Sequence, residues 1–119
     1  MDYTRTEHEN IVIGMLLNDF DGMLMDGGRL FLREELFVDK KNKFIYGIID
    51  KMHRSGERCI TPCDVFRYAN DNGIAYGDVS NFASYMCELA LTRYSEQEFK
   101  RHAKELVRLY IRDKKHGSR

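Results

Sequence analysis

The sequence predicts an all-α fold: a small bundle of about five or six helices ending in a helical hairpin. Three observations carry this expectation. A single proline and nine glycines leave few breaks in 119 residues. Apolar residues recur at helical rather than alternating spacing. A Thr or Ser followed three positions later by an acid marks helix starts at Thr6, Thr61 and Ser95.

The first helix is predicted to open on the capping box Thr6-Glu7-His8-Glu9. Its following run, Ile11-Val12-Ile13-Gly14-Met15-Leu16-Leu17, is apolar nearly all round and so central. Gly14 costs about 1 kcal/mol against alanine there, which a close helix crossing would justify. Asp19-Phe20-Asp21-Gly22 and Gly27-Gly28 read as turns around a short helical piece at Met23-Leu24-Met25. Leu30, Phe31, Leu36 and Phe37 give an apolar edge. The next helix starts from Asp39 as N-cap and stops at Gly56, with Phe44, Ile45, Ile48, Ile49 and Met52 as its buried stripe. Thr61-Pro62-Cys63-Asp64 opens another, running to Gly73. Asp78 or Ser80 caps a fifth, with Phe82, Tyr85, Met86, Leu89 and Ala90 apolar. Ser95-Glu96-Gln97-Glu98 opens the last, with Phe99, Leu106, Val107, Tyr110 and Ile111 on one face.

No repeat, low-complexity tract or linker divides the chain. The expectation is one domain over 1–119: a bundle over about 6–75 and a hairpin over about 78–115. Composition is 43% hydrophobic with net charge zero, which predicts a real core and argues against a polycation. No apolar run approaches the roughly 20 residues of a membrane span. Three cysteines, with no signal-peptide shape at Met1-Asp2-Tyr3-Thr4, predict free thiols in the cytoplasm.

The sequence offers little chemistry. It has no Gly-Lys-Ser or Gly-Lys-Thr phosphate cradle, and Ser55, Ser80, Ser84, Ser95 and Ser118 stand in no nucleophile-elbow context. Cys59, Cys63 and Cys87 lack knuckle spacing and read as small apolar residues. His8, His53, His102 and His116 are scattered among polar neighbours and read as surface imidazoles. Asp19, Asp21 and Asp26 lack the glycine and terminal glutamate of a calcium loop. No catalytic, metal-binding or cofactor-binding residue is assigned.

Charge distribution says more. From Arg93 to Arg119 nine Lys/Arg face four acids, a surplus of five that the rest of the chain must balance. Lys100, Arg101, Lys104 and Arg108 are candidates for contact with phosphate or an acidic partner; a solvated face complementing the helix dipole is the competing reading. Tyr85, Tyr94, Phe99 and Tyr110 fall in the last two helices. A hairpin apolar on both faces would have surface to bury against a copy of itself.

The run Glu7-His8-Glu9-Asn10-Ile11-Val12-Ile13-Gly14-Met15-Leu16-Leu17 resembles the opening of the N-terminal domain of DnaB-type replicative DNA helicases, Glu-x-Glu-x-x-Val-Leu-Gly-x-Leu-Leu. Leu36-Phe37 and Asn42-Lys43-Phe44-Ile45-Tyr46 are similar to that family's phenylalanine and His-x-x-Ile-Phe helix, with Asn42 in place of its histidine. Gly56 and Thr61-Pro62-Cys63-Asp64-Val65 resemble its Gly-x-x-Ile-Asp-x-x-Thr-Leu, with Thr61 at its aspartate. Tyr85-Met86-Cys87-Glu88-Leu89 resembles its Tyr-Leu-x-x-Leu, and His102-Ala103-Lys104-Glu105-Leu106-Val107 its Tyr-Ala-Lys-x-Val. Asp78-Val79-Ser80 replaces a Gly-Gly, and extra residues surround Gly27-Gly28. The likeness runs over roughly 6–112.

The resemblance implies a bundle followed by a hairpin through which domains pair, forming a collar on a hexameric ring where primase docks. It implies self-association and primase as partners, with DNA met only through the replisome. Tyr85, Leu89, Phe99, Leu106 and Tyr110 become candidates for the hairpin's core and pairing face. ATP and magnesium would belong to a separate RecA-like motor domain. The chain is then expected to be a fragment of such a helicase or a free-standing relative. A nucleic-acid-binding or scaffold module using the basic last helix is the alternative.

Overall fold

A computed structural model describes residues 3–18, 32–58, 60–74, 79–91 and 95–117. Among these it contains five α-helices, one 3₁₀ turn and no strand, so the all-α expectation holds. The helices are α1 (Arg5–Asn18), α2 (Lys40–Arg54), α3 (Pro62–Asp71), α4 (Val79–Leu91) and α5 (Glu96–Gly117); the 3₁₀ turn spans Glu34–Leu36. The turns around Met23–Met25, the apolar pair Leu30 and Phe31, Cys59, Asp78 and Tyr94 lie outside the described residues.

α1 is the axis of the bundle. Every residue from Ile11 to Leu17 is buried, as its unbroken apolar run demands. α4 and α5 pack on α1 and α2 also meets it; α3 joins α2 to α4, and the 3₁₀ turn sits against α2 and α5. One apolar cluster runs through all of them. Ile13 and Leu16 share it with Ile45, Ile49, Val65, Met86, Phe99 and Leu106, so α4 and α5 are built into the core beside α1.

Where the capping signals fall explains the element ends. Asp39 accepts from the amides of Lys41 and Asn42, and α2 gives way to Gly56 at φ 96°, in the left-handed region glycine tolerates. At α3 the Thr61 hydroxyl accepts the Asp64 amide while the Asp64 carboxylate takes the Thr61 amide. Ser95 and Glu98 form the same reciprocal pair at α5. Thr61→Ala is expected to cost about 1 kcal/mol, seen as a fall of roughly 4 °C in thermal midpoint.

The first cap differs from the sequence expectation. The box forms two residues earlier: the Thr4 amide donates to Glu7 Oε1 at 2.7 Å and the Glu7 amide to the Thr4 hydroxyl at 3.1 Å. Two overlapping Thr-x-x-Glu patterns compete here, and Glu9 is needed in the interior. Ile111 is also corrected. It lies 54% exposed, because twelve residues after Phe99 it has rotated about 120° off the stripe. His102, Ala103 and Leu109 are buried on that stripe instead.

Candidate functional site

Two polar constructions depart from the plain bundle. The first is internal. Glu9 is fully buried, its carboxylate accepting from the amides of Val38 at 2.8 Å and Asp39 at 3.2 Å and from Asn42 Nδ2 at 3.3 Å. Asn42, also fully buried, donates to Asn10 Oδ1 at 2.8 Å and accepts from the Tyr85 hydroxyl at 2.7 Å. Burial pushes the Glu9 carboxyl up against the lowering effect of these donors and of Arg5. Burial, with Asp39 and Glu9 nearby, pushes the Tyr85 phenol up to about 12, so it stays a donor. Three helices are thus pinned by one network.

The second construction faces outward. His8 of α1 and His102 of α5 meet with their Nδ1 atoms 2.8 Å apart. The Tyr3 ring stands edge-on to His102 at 4.9 Å. His102 is almost fully buried and His8 half-buried, which corrects the reading of both as surface imidazoles; His53 is exposed. The signal was in the spacing, since His102 lies between Phe99 and Leu106 on the buried stripe.

A Nδ1–Nδ1 contact works when one ring donates to the other, and it fails if both carry protons. Burial holds both imidazoles below their ordinary value. Glu105 and Glu7 oppose that at His8; His8 itself and Arg101 reinforce it at His102, and Glu98 opposes it there. An unfolded chain therefore takes up these protons first, so stability is full above the ordinary imidazole value of about 6.5 and falls as pH drops below it. Denaturation at pH values on either side should show this loss, and His102→Phe should shrink it.

Around the pair opens a cleft of about 750 Å³ lined by Tyr3, Arg5, His8, Arg101, His102, Glu105, Arg108, Leu109 and Arg112. Arg5 reaches across from α1 to the Leu36 carbonyl at 3.2 Å and to Asp113 on α5. Arg108 Nε lies 2.9 Å from Glu105, Arg101 4.0 Å from Glu98, and Arg112 3.4 Å from Asp113.

The other candidates are placed as follows. Arg101 and Arg108 come together in the cleft, while Lys100 (half-buried) and Lys104 (exposed) do not line it. Phe99 and Leu106 are packed in the chain's own core. Tyr85 is tied into the internal network, and the Leu89 backbone lies against Gly14. Tyr110 is half-buried, with Arg33 and Lys114 over its ring at 5.5 and 5.9 Å. Cys63 and Cys87 are exposed free thiols lining a groove with Phe66, not core residues. Among the described residues no group of three His, Cys, Asp or Glu is placed to hold a metal ion, and no helix is long and apolar enough to cross a membrane.

The fold and these two constructions define a small α-helical bundle with a buried carboxylate–amide–phenol network and a basic, histidine-lined cleft. No family model, curated protein or solved structure matches the chain.

Proposed function

We propose that this chain is a non-catalytic assembly and docking domain of a replicative DNA helicase, acting in the cytoplasm by self-association and by binding primase. The observation that carries the reading is where the pieces of the DnaB-like pattern meet. Glu9, Asn42 and Tyr85 come from three separate stretches of the resemblance and form one hydrogen-bond network. Gly14 of the opening run lies directly against Leu89 of the Tyr85–Leu89 stretch.

On this reading the chain does no chemistry, and ATP and magnesium are handled by a motor domain elsewhere. Its partner surface is the outer side of α5, where Tyr110 is half-buried and Ile111 exposed. The test pairs sedimentation over a concentration series with titration against the C-terminal region of the same organism's primase. Expected results are a concentration-dependent dimer weakened by Ile111→Asp and saturable primase binding. A strict monomer that also ignores primase overturns the reading.

A further inference from the structure

We propose that the cleft between α1 and α5 is a binding site for a chain of phosphate groups, gripped by Arg5, Arg101, Arg108 and Arg112. Four guanidiniums converge on one concavity from two helices, and among the described residues Glu105 is the acid in its lining, with Glu98 and Asp113 paired to the arginines from its edge. A concave basic wall concentrates field and raises the local concentration of anions. Its volume lies in the range of ordinary ligand sites.

The existing ion pairs do not fill this capacity. A guanidinium has five N–H donors. Arg108 spends Nε and one Nη on Glu105, and Arg5 spends its two Nη atoms on Asp113 and the Leu36 carbonyl. Arg101 meets Glu98 only at 4.0 Å, and Arg112 meets Asp113 at 3.4 Å. Arg101, Arg108 and Arg112 are each more than half exposed. Exposed pairs of this kind contribute little and yield readily to a stronger anion. Phosphate oxygens suit the planar fork of arginine, which can engage them two at a time.

The spacing selects a chain of phosphates over a single one. Arg101, Arg108 and Arg112 follow one side of α5 across about 16 Å of helix, with Arg5 opposite. Charges strung along a line match successive phosphates; one small oxyanion could satisfy only one or two of them. Such a chain could be a free polyphosphate group or the backbone of a single-stranded nucleic acid. The site does not depend on the collar reading and survives its failure.

The test is a titration of the full chain with inorganic tripolyphosphate and with a labelled single-stranded thymidine oligonucleotide at low salt. Saturable binding is expected, weakened about tenfold or more by the double substitution Arg108→Ala/Arg112→Ala. Lys43→Ala, on α2 outside the cleft, should leave it unchanged. Tight oligonucleotide binding, with a log–log salt slope of about −3 for four phosphate contacts, assigns the backbone source. Tripolyphosphate binding alone assigns a free phosphate ligand. Circular dichroism checks that the double variant stays helical, and Arg101→Gln provides an independent variant if it does not. Absence of binding to both probes overturns the proposal, as does equal weakening by Lys43→Ala.

Discussion

Replacing Glu9 by leucine is expected to destabilise the chain by about 3 kcal/mol, although an apolar residue is being placed in an apolar interior. Transfer of the leucine side chain to a buried site is favourable by roughly 1.5–3 kcal/mol, and removing a desolvated carboxylate relieves the strain that raises its pKa. Against this stand three donors aimed at the carboxylate: the amides of Val38 and Asp39 and the Asn42 side chain. Hydrogen bonds to a charged acceptor contribute about 1.5–3 kcal/mol each, and a donor left buried and unmade costs more than the bond gave. Val38 is exposed, so its amide can turn to water; Asn42 is fully enclosed and cannot. The lost acceptors outweigh the gain. At an m-value of about 2 kcal/mol/M the urea midpoint should fall by more than 1 M with m unchanged. Glu7→Leu is the control, since Glu7 is exposed and its carboxylate caps the helix at Thr4 rather than entering the core; it should cost about 1 kcal/mol. Equal costs of about 1 kcal/mol at the two positions would mean that the buried network around Glu9 adds nothing.

Glu9 also shows where sequence reasoning stops. Caps at Asp39, Thr61 and Ser95 were readable because each is a local pattern whose donor and acceptor lie within three residues. At α1 two such patterns overlap, and what decides between them is Asn42, thirty-three residues away. Local rules contain no term for that. The buried stripe of α5 is legible at Phe99 and Leu106, yet hydrophobicity places Ile111 on it although its angle excludes it. Polarity keeps His102 off the stripe, although its angle includes it. The basic surplus after Arg93 was visible in sequence, but not its geometry. Arg5 and His8 belong to the cleft only because α1 and α5 lie side by side, so half of that site came from the other end of the chain. Pairing of His8 with His102 needed the same contact.

The close crossing expected at Gly14 gives the second large effect, and its sign runs against helix propensity. In a helix, Gly→Ala ordinarily gains about 1 kcal/mol. A Cβ added at Gly14 would stand 2.3 Å from the carbonyl oxygen of Leu89 and 3.0 Å from its carbon. These are backbone atoms of α4 and cannot rotate aside, so the whole helix must retreat by about 1 Å to restore ordinary contact. Overpacking of this kind costs typically 1–3 kcal/mol and more where backbone must move. Gly14→Ala should therefore lose about 2 kcal/mol net, and Gly14→Val about 4 kcal/mol. Gly47 in α2 supplies the contrast: among the described residues a Cβ there would meet the Glu34 carboxylate, Oε1 at 2.7 Å and Cδ at 3.6 Å, the far end of a flexible and exposed side chain. Gly47→Ala should be neutral or slightly stabilising. Two mid-helix glycines then respond with opposite signs to one substitution, which propensity alone cannot produce. α4 also carries Tyr85, whose hydroxyl reaches Asn42 at 2.7 Å, and the Ala90 carbonyl, which accepts from Asn18 at 2.6 Å. Retreat of α4 stretches both bonds. Tyr85→Phe should consequently cost less in the Gly14→Ala background than alone, a coupling that a double-mutant cycle reads directly. Strict additivity would show that the α1–α4 spacing and the internal network are set independently.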